Sequence, residues 1–170
     1  MKSCLEMMTK HPVCCLVSDK VDTIAQMMQT QDVGAIPVIE NHASKKLIGI
    51  ITDRDLAVRV VGASREMSST LVGDIMTTNP VVCHPGDDVY KALETMATHQ
   101  VRRIPVVDTY GVVMGIITQA DLVIHLHNHD KFGQMIGQIS QPDTLPIVNW
   151  VTTTPITGWK RDWWVRHYRN

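Results

Sequence analysis

Gly49-Ile50-Ile51-Thr52-Asp53-Arg54-Asp55-Leu56 returns later in the chain as Gly115-Ile116-Ile117-Thr118-Gln119-Ala120-Asp121-Leu122. An apolar run ending on Thr-x-x-Asp predicts a strand buried on both faces that turns into a capped helix. Its return predicts that a whole unit occurs twice. Working outward, Ala35-Ile36-Pro37-Val38 returns as Arg103-Ile104-Pro105-Val106. Met8-Thr9-Lys10-His11-Pro12-Val13 returns as Met76-Thr77-Thr78-Asn79-Pro80-Val81. These outer blocks recur 68 residues on (Pro12 to Pro80), the Gly block 66 residues on (Gly49 to Gly115). Repeat one therefore holds two extra residues in the loop around Asn41-His42-Ala43-Ser44-Lys45-Lys46. Two related halves bury a face against each other and leave related clefts, where ligands sit.

Each repeat reads as strand, helix, strand, strand, helix, an α/β (α+β) unit with short strands. Val13–Val17 and Val81–Cys83 read as extended segments after a proline. Ser18-Asp19-Lys20 and His84-Pro85-Gly86-Asp87-Asp88 supply turn and N-cap residues. Val21, Ile24, Ala25 and Met28, matched by Val89, Ala92, Leu93 and Met96, form an i, i+3, i+4, i+7 stripe that predicts an amphipathic helix. The x-Pro-Val blocks read as strands, and a second helix starts at Thr52 or Thr118. The expected domains are 1–66, 67–130 and a basic, Trp-rich tail at 131–170, with 62–71 as a polar linker.

Composition narrows the function classes. A chain of 170 residues supports one domain or two small ones packed together. A net charge of −1 gives no basic field for nucleic acid. No apolar run reaches the roughly 20 residues of a membrane span, and Met1–Glu6 lacks the apolar core of a signal peptide. Cys4, Cys14, Cys15 and Cys83 form no Cys-x-x-Cys pair, so they read as reduced thiols of a cytoplasmic protein. No nucleophile–base or phosphate-loop motif is present, and the chain reads as a non-enzyme.

With four blocks per repeat in the same order, residues 5–127 resemble a tandem pair of CBS domains. That module is similar across IMP dehydrogenases, chloride channels and the gamma subunit of AMP-activated kinase. The resemblance implies a pseudo-two-fold pair of α/β units with packed sheets and a cleft for AMP, ADP, ATP, NAD or S-adenosylmethionine. It also implies a stand-alone regulatory module that forms a homodimer and acts on a protein partner. Leu56, Val60 and Val61 with Leu122 and Leu126 are the apolar residues available for that dimer. The alternative is a ligand-independent dimerisation or interaction scaffold.

The Thr-x-x-Asp turns carry both readings. As a capping box, Thr caps the helix and Asp reaches back to the Thr N–H, worth on the order of 1 kcal/mol. By the resemblance, Asp55 and Asp121 hold a ribose, and Thr52 and Thr118 contact ribose or phosphate. Arg102 and Arg103 match the phosphate-binding arginine of the kinase subunit, where repeat one has Gly34 and Ala35. Two guanidinium groups can grip phosphate oxygens bidentately, or stand as solvated surface charges. His84 and His99 stand close enough in sequence to join them. In repeat one any grip on phosphate falls to Arg54, Lys20 or the other half. The resemblance also implies that Val13 and Val81 present backbone to the adenine edge, and that Ile36 and Ile104 line the base slot, where core packing is the other reading. His125 and His129 are spaced as a metal pair but lack further ligands. The tail reads as a segment for self-packing or partner contact.

Overall fold

The computed structural model describes residues 2–125 together with Gly137 and Ile139, all within one compact unit spanning Met1–Ser140. In chain order the elements are α1 (Cys4–Met7), β1 (Thr9–Lys10), β2 (Cys15–Leu16), α2 (Val21–Gln31), β3 (Ala35–Ile39) and β4 (Leu47–Thr52). Next come α3 (Asp53–Asp55), which runs into a π-helix (Leu56–Val61), then α4 (Val72–Ile75), β5 (Thr77–Thr78) and α5 (Val89–His99). The order closes with β6 (Arg103–Val107), β7 (Val113–Thr118) and α6 (Gln119–His125). This is the mixed α/β architecture that the repeats predict.

The helical stripes face the cores as expected. Val21, Ile24 and Met28 of α2 are buried, as are Val89, Ala92, Leu93 and Met96 of α5. Each fully buried aliphatic side chain contributes about 1.5–3 kcal/mol relative to exposure. Both helices end on a residue in the left-handed region, Asp32 at φ 52° and Gln100 at φ 51°. That turn sends the chain back along the helix into β3 or β6.

The strands assemble across the repeat boundary. One sheet has the order β2-β3-β4-β5 and the other β1-β7-β6. Thus β1, from the start of repeat one, lies antiparallel to β7 of repeat two, with Thr9 opposite Ile116. Likewise β5, from the start of repeat two, lies against β4, with Thr77 opposite Ile50. The cores exchange in the same way. Cys4, Met7 and Met8 pack with Val89, Leu93, Met96 and Ile104. Val72, Ile75 and Met76 pack with Val21, Ile24, Ile36 and Ile51.

The crossing explains the glycines of the Gly-Ile-Ile-Thr runs. A Cβ on Gly115 would lie 2.9 Å from the Thr9 carbonyl oxygen and closer still to Met8. One on Gly49 would lie 2.9 Å from the Thr77 carbonyl oxygen and 2.7 Å from Met76 Sδ. Only a residue without a side chain lets the crossing backbone pass so close.

The halves meet at Ala35, Ile50 and Ile116, a small buried cluster of its own. Their turns also pair. The Leu47 N–H donates to the Gly111 carbonyl at 2.9 Å, and the Val113 N–H to the Lys45 carbonyl at 3.0 Å. The two extra residues of repeat one fall in this turn, 40–46 against 108–112.

Three expectations are corrected. The extended segments at Val13–Val17 and Val81–Cys83 shrink to β2 and to a single bridge from Cys83 to Val106, because each needs only one short contact beside β3 or β6. The second helix of repeat one widens into a π-helix, with the Gly62 N–H bonding back five residues to the Ala57 carbonyl at 2.9 Å. Leu56, Val60 and Leu122 fill their own cores, so of the set assigned to a dimer only Val61 among the described residues stays exposed. Leu126, His129 and the Trp-rich tail lie outside the described residues.

Candidate functional site

One cleft of about 560 Å³ opens between the repeats. That is within the usual range for a small-molecule site, roughly 300–1,000 Å³. Four segments wall it. Thr9, His11, Pro12 and Val13 come from the crossing N-terminal segment. Residues 31–35, from Gln31 to Ala35, lead from α2 into β3. Arg102 and Arg103 stand at the start of β6. Ile116, Thr118, Gln119, Ala120 and Asp121 form the passage from β7 to α6. The crossing of β1 places the Pro12-Val13 step of one repeat beside the Thr-x-x-Asp turn of the other.

Both Thr-x-x-Asp turns are closed capping boxes. In repeat one, Asp55 Oδ2 accepts from the Thr52 N–H at 2.9 Å and the Thr52 hydroxyl at 2.6 Å. The Asp55 N–H returns a bond to Thr52 Oγ1 at 3.2 Å. In repeat two, Asp121 Oδ2 accepts from the Thr118 N–H at 2.9 Å and hydroxyl at 2.8 Å. Their surroundings differ. Asp55 is buried, 8% exposed, and its Oδ1 lies 3.4 Å from Arg59 Nε. Arg59 in turn donates to the Ile75 carbonyl at 2.6 Å, tying the π-helix to α4. Asp121 and Thr118 line the cleft.

Of the residues singled out in the sequence, the cleft gathers Thr118, Asp121, Arg102, Arg103 and Val13. Ile36 and Ile104 are fully buried, one in each core. Val81 packs against the second core, and Thr52 and Asp55 stand at the π-helix start, away from this cleft. His84 and His99 turn their Nδ1 atoms to the Val107 and Thr95 carbonyls, each at 3.0 Å. Among the described residues no group of three or more His, Cys, Asp or Glu is arranged to hold a metal ion. None of their helices is long and apolar enough to cross a membrane.

A family model of the CBS domain matches residues 4–62 and again 72–128. The chain belongs to the CBS-domain family. It is 36% identical over 138 residues to the Bacillus subtilis protein YlbB, covering 81% of this chain and 91% of that one. Its CBS pair also resembles the crystal structure of Hypoxic Response Protein I with two coordinated zinc ions (TM-score 0.66, 26% identity), over 74% of this chain and 99% of that one. It resembles CBSX2 in complex with AMP as well (TM-score 0.63, 25% identity), over 73% of this chain and 95% of that one.

Within the CBS pair, sequence reasoning missed much of the wall: Thr9, His11, Gln31, Asp32 and Ile116. His11, and Asn79 at the matching position, adopt left-handed backbone at φ 51° and 48°, which turns the chain sharply before the proline. The repeated Met-Thr-x-x-Pro block was the available signal, but nothing in it says which half it joins.

Proposed function

We propose that this CBS pair is a regulatory module that binds an adenosine-containing ligand in the inter-repeat cleft and passes its occupancy to a protein partner without chemistry of its own. AMP, ADP and ATP are the leading ligands, with NAD and S-adenosylmethionine in the same class. The observation that carries the reading is the convergence of Asp121, Thr118, Arg102, Arg103 and Val13 on one cleft from three separate blocks of the sequence. In this reading Asp121 accepts from the ribose hydroxyls and Thr118 adds a hydroxyl. Arg102 and Arg103 meet phosphate, while backbone at Val13 faces the adenine edge and Ile116 supplies an apolar wall. The resemblance to an AMP-bound CBS protein supports it. Occupancy moves a partner only if the ligand favours one conformation.

A thermal-shift panel of AMP, ADP, ATP, NAD and S-adenosylmethionine tests the reading. A ligand at 100-fold its Kd adds about 2.7 kcal/mol of stability. Silence across the panel leaves the second reading, a ligand-independent scaffold, which the internally closed caps favour. We place the module in the cytoplasm, in keeping with its four free cysteines. We also take it to be a homodimer. Val58 and Val61, 57% and 66% exposed on the π-helix, support that assembly, and sedimentation at micromolar concentration reads it directly.

A further inference from the structure

The pseudo-two-fold axis pairs Gly34 with Arg102, Ala35 with Arg103 and Asp53 with Gln119. On one side, the Gln119 N–H donates to the Arg102 carbonyl at 2.8 Å, and the position facing it holds only the Ala35 methyl. On the other side the matching bond runs from the Asp53 N–H to the Gly34 carbonyl at 3.1 Å. There Arg103 reaches across from repeat two. Its Nη1 donates to the same Gly34 carbonyl at 3.1 Å and lies 3.7 Å from Asp53 Oδ1. A Cβ on Gly34 would lie 2.6 Å from Arg103 Nη2 and 2.6 Å from Asp53 Oδ2, so the pair occupies space that only glycine leaves open.

We propose that Asp53 sets the phosphate preference of the cleft by holding Arg103 in an internal ion pair that a ligand phosphate must displace. The inference rests on the reading of the cleft as a nucleotide site and adds a specificity residue to it. Arg103 lines the cleft while its guanidinium is committed to repeat one. The Asp53 side chain is 62% exposed, so the pair is screened by solvent and weak. A phosphate offers the guanidinium two oxygens and a bidentate grip in exchange. The exchange is therefore open to a phosphorylated ligand, and adenosine, which has no such group, is indifferent to it. Among the described residues Asp53 pairs with Arg103 and not with Arg102, so it discriminates through Arg103.

Calorimetric titration of adenosine and AMP into the wild-type chain, Asp53→Asn, Arg103→Gln and the double variant tests this. Asn at 53 keeps an oxygen for the Arg54 N–H, which Asp53 Oδ1 accepts at 2.8 Å. Asp53→Asn should tighten AMP two- to fivefold, about the span that exposed ion pairs cover, and leave adenosine unchanged. In the Arg103→Gln background the same change should have no effect on AMP. A gain that persists without Arg103 would make Asp53 a plain Coulombic repeller and overturn the proposal. So would an equal gain for adenosine, or no gain at all. Failure of the wild-type chain to bind either compound removes the reading of the cleft as an AMP site, an outcome distinct from a variant pattern that contradicts only the role of Asp53. Thermal melts of the ligand-free variants confirm that each is folded.

Discussion

Asp55 and Asp121 occupy the same place in the two repeats, close the same cap with the same bonds, and stand in different chemistry. Asp55 is buried against Arg59, whose guanidinium anchors the π-helix to α4. Asp121 opens on a cleft that also holds two arginines. The repeated motif therefore fixes the backbone, and the residues around it set the surroundings of each copy. The same holds across the pseudo-dyad, where Gly34 and Ala35 face Arg102 and Arg103. Equal backbones with unequal charge make two inequivalent halves.

The shared backbone can be broken first, and at the largest cost. Gly115→Val and Gly49→Val each push a side chain into a crossing backbone and a methionine. Each should destabilise by about 2–3 kcal/mol in urea denaturation, the upper part of the overpacking range. Comparable losses sharpen the symmetry. A neutral result in one would show that its crossing strand yields.

The charge difference is probed next. Arg102→Ala combined with Arg103→Ala should weaken ATP binding by about 1.5 kcal/mol, the lower end for hydrogen bonds to charged groups. Adenosine binding should change little, and the ATP effect should shrink with added salt. Equal weakening of both ligands would mean that the arginines shape the cleft without reading phosphate.

The smallest effect separates the turns that precede α2 and α5. Asp19 and Asp87 both accept a backbone N–H at 2.8 Å, from Leu16 and His84, but only Asp87 also meets a lysine, Lys91 at 3.0 Å. The His84 N–H and then Lys91 hold the Asp87 carboxyl below the usual carboxylate range. The folded state thus binds this proton less readily than the unfolded chain. The stabilisation is present above the unfolded pKa, near 4, and is lost as pH falls through the lowered folded value. Asp87→Asn should cost well under ~1 kcal/mol at neutral pH. Its difference from wild type in pH-dependent melts should fade in acid. A difference that grows in acid would contradict the assignment.

Much of this was legible in the sequence. The stripes Val21-Ile24-Met28 and Val89-Leu93-Met96 have helical period and a single buried face, so periodicity was enough. The Thr-x-x-Asp capping geometry is local and was legible, whereas whether either copy also meets ligand is not a local property. The exchange of β1 and β5 was not legible, because a two-residue strand has no period and its partner lies over 100 residues away in one case. Ile36 and Ile104 show the limit of pattern: an apolar residue beside a proline in a strand fits a base slot and a core equally, and burial places both in the cores. The Asp53–Arg103 contact joins residues 50 positions apart across the dyad, and no local rule announces it.

The proposal that Asp121 meets ligand while Asp55 serves only as a cap is tested most directly by titrating AMP into Asp121→Ala and Asp55→Ala in parallel. Asp121→Ala should weaken AMP by about 1.5–3 kcal/mol. Asp55→Ala should leave affinity unchanged and lower stability by about 1 kcal/mol through the lost cap. Unchanged affinity in Asp121→Ala, or equal losses in both variants, would contradict the account.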